Sequence, residues 1–346
     1  MNIRTIASLV AAAKLFSPLV AFAQQAPSFA DVPATHPAFL SVEHLKSKGL
    51  MTGNDNGTFA PDTPITRAAA LAVVVRSQNP GEALSAYKDT VFGDIKADDW
   101  YLPHAEYGRQ KMGIVTGPPQ KTTFEGGKTV TKAEAIKWIL SAYKENLSIL
   151  GESKPPLSRD VANTKEWYYP YMLAAVRTSM TMISGDGLFH PEKKLTRGEF
   201  AMLLSRYLYF GEKLRTQALL SEAENEILNI INSLGKNDVA SAEFAYGRAY
   251  AAAQGAYQSR PTEDLVRAAL KITESFGSLV LAFKAVLVPN YDEVIAQSKD
   301  AWAKAEKAKA FVDPGSEGRE NVLATIKQVQ ENASQMAASA RQAKSQ

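Results

Sequence analysis

The chain contains no cysteine among its 346 residues. That absence excludes disulfide bonds, thiolate metal sites and catalysis by a thiol nucleophile. Histidine is scarce as well, and its four positions are 36, 44, 104 and 190. Residues 210–346, the C-terminal part of the chain, therefore have no histidine for a catalytic triad or a metal site. The sequence predicts neither a metal nor a cofactor.

An excess of charge and long apolar runs are also lacking. The formal net charge is +3, whereas a nucleic-acid-binding face requires a marked excess of lysine and arginine. After residue 23, no apolar stretch approaches the ~18 residues that a membrane-spanning helix needs. The sequence thus predicts neither a nucleic-acid partner nor a transmembrane span.

The first 23 residues have the pattern of a secretory signal. Arg4 precedes an apolar run over residues 6–20, and Ala21-Phe-Ala23 matches the small-x-small pattern of a signal-peptidase site. We therefore expect an exported protein whose mature chain begins at Gln24 and carries a formal charge of about +1.

A short module occurs three times between residues 29 and 208. Each copy opens near an aspartate, continues through a glycine-marked turn and closes on a threonine followed by a basic residue. The aspartates are Asp31, Asp94 and Asp160, and the basic residues are Arg67, Lys132 and Arg197, which lie 65 residues apart. A fixed period predicts a repeat architecture. We name the copies repeat 1 (29–80), repeat 2 (90–147) and repeat 3 (156–208).

A helix is predicted at the end of each repeat, from apolar residues at helical spacing over 68–76, 133–143 and 198–208. The preceding threonines are suited to cap these helices, and Glu134 and Glu199 complete capping boxes in repeats 2 and 3. The basic residue then falls at the first helical position, where the helix dipole disfavours a cation by about 0.3–1 kcal/mol. An external carboxylate or phosphate, bound by the cation and by free helix N–H groups, would offset that cost.

Two interpretations of these cations remain open. Each cation either pairs with the aspartate of its own repeat and clips the module together, or binds an anion from outside. A single copy would favour the clip, whereas three copies in register favour the anion site, and both hold if the aspartate orients the cation.

Aromatic residues allow a similar choice. Trp100 and Trp167 stand six and seven residues after Asp94 and Asp160. Their rings either stack on sugars in a carbohydrate groove or fill gaps between modules. Phe59, Phe124 and Phe189 each follow a turn and precede a capped helix, so we expect them in the core.

The repeats resemble the S-layer homology (SLH) domain. The matching segments of repeat 1 are Phe29-Ala-Asp-Val32, Gly49-Leu-Met-Thr-Gly53, Phe59-Ala-Pro61 and Ile65-Thr-Arg-Ala68. The resemblance covers about half of the chain, in the three copies that are usual for the family. It implies an all-α fold with three modules in a pseudo-trimer around a central three-helix bundle, and binding grooves between neighbours.

The resemblance also implies non-covalent attachment to a cell-wall polysaccharide, often one whose pyruvate acetals supply a carboxylate. By position, the ligand-binding residues are Arg67, Lys132 and Arg197, with Trp100, Trp167, Asp31, Asp94, Asp160 and the turn glycines Gly53, Gly117 and Gly185. Repeat 1 lacks the tryptophan and the capping glutamate, repeat 2 has lysine for arginine, and Thr181 of repeat 3 stands where the first turn glycine is expected. The grooves should therefore be unequal, with Arg197, beside Glu199 and Trp167, keeping the fullest set.

Residues 210–346 carry no family resemblance and are helical in pattern. Helices are predicted over 211–234, 238–258, 263–287, 291–311 and 317–343, the third central in a bundle and the last with an a/d seam. They form a helical bundle or coiled-coil-like domain. We interpret the glutamates at 222, 224 and 226 as a surface charge run, because alternate positions on a helix do not share a face.

These observations predict a cell-surface protein held at the wall by its repeats. The helical part would act as a spacer or assembly domain that self-associates or binds a protein partner. Two alternatives remain: an anchored enzyme acting on wall glycan, and an envelope tether linking the outer layer to peptidoglycan. No poised pair of carboxylates stands out, so we expect no enzymatic activity.

Overall fold

The structure is a computed structural model that describes residues 27–78, 84–117, 120–148, 154–312, 314–315 and 319–345. The predicted signal over residues 1–23 lies outside the described residues. Within those ranges the chain forms eleven α-helices and no β-strand, which confirms the all-α class. The repeats contain α1 (Phe39–Ser47), α2 (Arg67–Ser77), α3 (Leu102–Gln110), α4 (Lys132–Ala142), α5 (Tyr169–Arg177) and α6 (Arg197–Tyr209). The C-terminal part contains α7 (Arg215–Gly235), α8 (Val239–Ser259), α9 (Asp264–Leu287), α10 (Tyr291–Lys309) and α11 (Arg319–Lys344).

The second helix of each repeat starts where its sequence predicts. The side chains of Thr66, Thr131 and Thr196 accept hydrogen bonds from the N–H three residues on, and repeats 2 and 3 have complete capping boxes. Each basic residue therefore occupies the first helical position, as expected.

The repeats interleave in a cycle. The second helix of one repeat packs against the first helix of the next, in the pairs α2–α3, α4–α5 and α6–α1. A closed ring of backbone hydrogen bonds joins the residues before the caps: Ile65 N to Leu195 O at 3.0 Å, Leu195 N to Val130 O at 3.0 Å, and Val130 N to Ile65 O at 3.1 Å. All three side chains are buried, so the ring lies in the core that the repeats share.

The C-terminal helices form a second apolar core. Helix α9 packs against α7, α8, α10 and α11, as its wide apolar surface predicts. The seam of α11 is also confirmed, because Val322, Ile326, Val329, Ala333, Met336 and Ala340 are all buried. None of the described helices combines the length and hydropathy that a bilayer crossing requires.

The two parts meet without an open linker. Helix α6 continues through a π-helical turn, Phe210–Leu214, directly into α7. Helix α8 also packs against α5 of repeat 3. A Cβ at Gly247 or Gly255 would lie 2.0 Å from the carbonyl oxygen of Pro156 or Arg177, so both glycines are required for the close approach of the two backbones.

Candidate functional site

Each of the three cations donates a hydrogen bond to the carbonyl of a core phenylalanine in the next repeat around the cycle. The bonds are Arg67 Nε to Phe124 O at 3.1 Å, Lys132 Nζ to Phe189 O at 2.8 Å, and Arg197 Nε to Phe59 O at 2.9 Å. The three phenylalanines are buried, which confirms their predicted place in the core. The cations therefore link neighbouring repeats.

The three aspartates hold the N–H side of the same phenylalanines. Asp31 accepts from the N–H groups of Phe59 and Ala60 at 2.9 and 2.7 Å, and Asp94 and Asp160 bind the equivalent pairs in repeats 2 and 3. The second residue of each pair, Ala60, Glu125 or His190, has a φ of 56°, 60° or 54°. These left-handed turns are unfavourable for non-glycine residues, and the paired bonds to aspartate stabilise them.

The electrostatics of the aspartates follow from these bonds. Burial opposes ionisation of Asp31, but the N–H donors of Phe59 and Ala60 outweigh it and hold the pKa of the carboxyl below its usual value. The same balance lowers the pKa of Asp160, where Ser158 is a further donor. The aspartates are thus occupied in positioning the turn.

The expectation that a cation pairs with the aspartate of its own repeat is wrong. Arg197 of repeat 3 faces Asp31 of repeat 1, and Lys132 of repeat 2 faces Asp160 of repeat 3. The reason is geometric. The cation and the aspartate hold the same turn: the cation donates to its carbonyl, and the aspartate accepts from its N–H groups. That turn belongs to the aspartate's repeat, whereas the cation comes from the preceding repeat in the cycle.

The expectation of free N–H groups at the helix starts is also wrong. In α4, the N–H groups of Lys132 and Ala133 donate to the carbonyls of Lys193 and Pro191, each at 2.8 Å. Carbonyls in the loops of neighbouring repeats accept hydrogen bonds from the first two N–H groups of α2 and α6 in the same way, and the side chain of each capping threonine accepts from the third. Any anion must therefore be bound by side chains.

Arg67 is enclosed by protein. Its side chain is paired with Glu134 and lies 4.9 Å from the ring of Trp138. The whole residue is only 8% exposed. Its guanidinium is thus committed to the contact between repeats 1 and 2.

The groove beside Arg67 measures about 220 Å³ and contains side chains that the repeat pattern does not indicate. Trp138 and Lys137 of α4 line it together with Trp167 of repeat 3, which is 46% exposed. Lys137 Nζ lies 5.8 Å from the centre of the Trp167 ring. Helical spacing could have identified the two α4 residues, because they lie three and four positions after the capping-box residue Glu134 and therefore share its face of the helix.

A second groove, of about 270 Å³, contains Lys132. Burial lowers the pKa of Lys132 to about 8, although the carboxylates of Asp160 and Glu199 oppose this shift. Lys193, His190 and Arg206 also line the groove, and Lys193 pairs with Glu199. Among the described residues, Phe189 O is the one hydrogen-bond partner of the Lys132 ammonium, which has three N–H donors.

Arg197 lies at the third junction. Besides its bond to Phe59, it donates from Nη2 to the carbonyl of Thr52 at 3.1 Å and lies 4.8 Å from the Phe59 ring. Trp167 and Glu199, expected beside it, line the grooves of Arg67 and Lys132 instead. Because each groove combines the helix start of one repeat with the loop of the next, residues close in sequence belong to different grooves.

The turn residues of repeat 3 differ from the predicted alignment. Ser179, with a φ of 55°, takes the left-handed position that Gly49 and Gly113 occupy in repeats 1 and 2. A Cβ at Gly53 or Gly117 would lie 2.4 or 2.7 Å from a neighbouring side chain, so a larger residue at either position would force its neighbour to shift. A Cβ at Gly185 would meet no atom within 4 Å. Gly185 aligns with Asp55 of repeat 1, and not with the turn glycine Gly53. Thr181, expected in place of the first turn glycine, lines the Lys132 groove.

The remaining predicted groove residue, Trp100, is not among the residues that line the Arg67 or Lys132 groove. It is 59% exposed and packs edge-on against Tyr101 and His104. Its position thus differs from that of Trp167, its counterpart in repeat 3.

The prediction of a surface charge run at residues 222, 224 and 226 is wrong. Glu226 is buried and forms a two-pronged pair with Arg248 of α8, with distances of 2.7 and 2.8 Å. Glu222, one turn earlier on the same face of α7, is also turned toward the protein, and burial raises its pKa to about 7. Alternate positions do not share a face, but residues 222 and 226 are four apart and do.

The family model of the S-layer homology domain matches this chain at residues 28–71 and 159–201. The chain is 27% identical over 208 residues to the Surface-layer 125 kDa protein of Lysinibacillus sphaericus, an alignment that covers 59% of this chain and 17% of that protein. It is 26% identical over 205 residues to the S-layer protein sap of Bacillus anthracis, covering 59% and 24%. With the Middle cell wall protein of Brevibacillus brevis it shares 33% identity over 113 residues, covering 32% and 10%.

The chain thus spans about a quarter or less of the length of these curated relatives. S-layer homology sequence is present in repeats 1 and 3, and the chain is similar to S-layer proteins. These matches indicate a protein of the cell surface or cell wall.

Proposed function

We propose that the repeats hold this protein non-covalently on an anionic polysaccharide of the cell wall, with Lys132 as the main anion-binding residue. The observation that carries the proposal is the Lys132 groove itself. Its ammonium has unused hydrogen-bond donors, and His190, Lys193 and Arg206 surround it with further cationic or titratable groups. A carboxylate on a sugar would complete the coordination of Lys132 and offset the cost of its burial.

The three repeats contribute unequally in this proposal. Arg67 acts as a clip between repeats, while Lys137 and Trp167 of its groove offer a cation and an aromatic face to a sugar. Arg197 retains its role as a third candidate, with two of its nitrogen atoms engaged by carbonyls. Asp31, Asp94 and Asp160 shape the turns that carry the grooves.

We also infer that residues 90–147 form a third SLH module and that the three modules make a pseudo-trimer. The ring of hydrogen bonds through Ile65, Val130 and Leu195 supports this inference, as does the same cation–phenylalanine–aspartate arrangement at all three junctions. The relatives' names describe surface-layer proteins, which favours anchoring and display by the C-terminal helices over catalysis. The predicted secretory signal would take the protein to the envelope.

Sedimentation of the full chain with purified walls of the producing bacterium tests the proposal. We expect the protein to pellet with native walls and to stay in solution with walls treated in mild acid, which removes acid-labile acetals. Binding should also weaken as salt rises from 50 to 500 mM, since the screening length for the groove charges falls from about 14 Å to about 4 Å over that range. Equal pelleting with native and acid-treated walls would contradict an acetal carboxylate as the ligand.

A further inference from the structure

A larger cavity lies where repeat 3 meets helix α7. It measures about 570 Å³ and is bounded by the π-helical turn Phe210–Leu214, by the turn of repeat 3 and by one face of α7. This volume is in the range of ligand pockets, about 300–1,000 Å³, whereas the 270 Å³ of the Lys132 groove is slightly below it. π-Helical turns within helices are also frequent at functional sites.

The junction cavity adjoins the Lys132 groove. Met182 and Arg206 line both spaces. Arg206 donates from Nε to the carbonyl of Ser179 at 3.0 Å and lies 5.0 Å from the Phe210 ring, so its position is fixed between the two. The bond to Ser179 is the one hydrogen bond of Arg206 among the described residues. The other guanidinium N–H groups of Arg206 are therefore available to a bound ligand.

The junction cavity is lined by one buried hydroxyl, that of Ser179, which lacks a hydrogen-bond partner within the described part of the chain. Ser179 is 1% exposed, and its hydroxyl makes no aligned hydrogen bond to the described residues. Glu222 is its polar neighbour, and the hydroxyl is one of the groups that lower the pKa of that carboxyl against the effect of burial. Burial raises the pKa of Glu222 to about 7, while Arg206 opposes the shift and Glu226 adds to it. A buried hydroxyl without a partner is costly unless a ligand or water satisfies it.

The remaining lining suits a sugar. Tyr209 and Phe210 provide aromatic faces, and Gln217, Ser221 and Asn225 of α7 provide amide and hydroxyl groups. In the Arg67 groove, the segment that follows α4 brings an aromatic side chain, Trp167, to the end of the groove. Residues 210–346 contain no further repeat, and the aromatic side chains of the junction cavity come instead from Tyr209 at the end of α6 and Phe210 at the start of the π-helical turn.

We propose that the Lys132 groove and the junction cavity form one extended site, which binds a wall glycan of two or more sugar units. The acidic sugar lies on Lys132, and the next unit lies past Arg206 between Tyr209 and α7. The C-terminal helices are then part of the glycan-binding surface as well as the displayed domain. This inference rests on the proposed function, because it assigns a second subsite to the same ligand.

Calorimetric titration of the full chain with size-fractionated wall polysaccharide tests this inference. Fragments with a single repeating unit and fragments with several are titrated separately. We expect the longer fragments to bind about tenfold more tightly, as one or two further hydrogen bonds would produce. Ala218→Trp, which fills the cavity lined by Ala218, should abolish that gain and leave the binding of short fragments unchanged.

Two further variants keep the test decisive. Asn232→Trp places the same side chain on an exposed part of α7 and should bind like the native chain. Ser179→Gly removes the unpaired hydroxyl together with its carbon and puts glycine where Gly49 and Gly113 stand in the other repeats, so it should fold and lose about threefold in affinity for long fragments alone.

The outcomes separate the two proposals. A native chain that binds long and short fragments equally, or an Ala218→Trp variant that retains the gain, would overturn the extended site and leave Lys132 as the anion site. If Ala218→Trp fails to fold, unchanged affinity of Ser179→Gly for long fragments would overturn it. A native chain that binds neither fragment would overturn both proposals.

Discussion

Replacing Gly255 by alanine should lower the free energy of unfolding by about 3 kcal/mol. The new Cβ would lie 2.0 Å from the carbonyl oxygen of Arg177 and 2.9 Å from its Cα, both backbone atoms of α5. Overpacking of this kind costs about 1–3 kcal/mol and sometimes more, because helix backbones cannot move apart without losing other contacts. In an exposed helix the same change would stabilise by about 1 kcal/mol, so even the sign is informative.

Urea unfolding followed by circular dichroism measures this effect. Tryptophan fluorescence should give the same midpoint if the two parts unfold together, since Trp138 reports on the repeats and Trp302 on α10. Gly185→Ala is the matched control and should change stability little, because a Cβ there meets no atom within 4 Å and the backbone φ is not left-handed. A Gly255→Ala protein as stable as the native chain would show that α5 and α8 do not pack closely in solution.

Arg67→Met should destabilise the protein by about 2–4 kcal/mol, whereas Lys132→Met should change its stability by less than about 1 kcal/mol. Arg67 is buried, paired with Glu134 and stacked near Trp138, so its removal leaves a carboxylate and a carbonyl with fewer partners. Lys132 makes one hydrogen bond, and burial already disfavours its charged form. The gain from removing a desolvated charge offsets the loss of that bond.

The urea midpoints of the two variants, measured side by side, check this contrast. Lys193→Met is the matched surface control, because its ammonium is about half exposed and its pairing with Glu199 contributes little. Equal destabilisation by Arg67→Met and Lys132→Met would mean that both cations are clips, and would remove the physical reason for assigning the anion site to Lys132.

Local features of the fold could be predicted from the sequence. The capping threonines, the two capping boxes and the five C-terminal helices appear within a few residues of their predicted bounds. They depend on interactions between residues three or four apart, which a single sequence displays directly. The buried seam of α11 follows from the same kind of periodicity.

The composition of the grooves could not be predicted in this way. Each groove joins the helix start of one repeat to the loop of the next, so Trp167 lies with Arg67 and Glu199 lies with Lys132. Such pairings depend on how the repeats interleave, and the sequence period carries no information about that order. The same limit explains why Glu222 and Glu226 were assigned to the surface, since their burial is produced by α8 and repeat 3.

The position of the left-handed turn residue in repeat 3 illustrates a different limit. Glycine usually marks such a position, and a search for glycines leads to Gly185. The structure instead uses Ser179, whose strained backbone is stabilised by its packing and by the bond from Arg206 to its carbonyl. That strained serine lies at the cavity between repeat 3 and α7, where the extended glycan site is proposed.

The most direct test of the account is the affinity of the Lys132→Met full chain for native walls, measured by sedimentation beside the native chain and Arg67→Met. The account predicts that Lys132→Met loses tenfold or more in wall affinity, as expected when a charge-assisted hydrogen bond of about 1.5–3 kcal/mol is removed, with an unfolding midpoint close to native. Arg67→Met should be less stable than the native chain, but under conditions in which it remains folded it should keep more of its wall affinity than Lys132→Met does. A folded Lys132→Met protein that binds walls as tightly as the native chain would contradict the account.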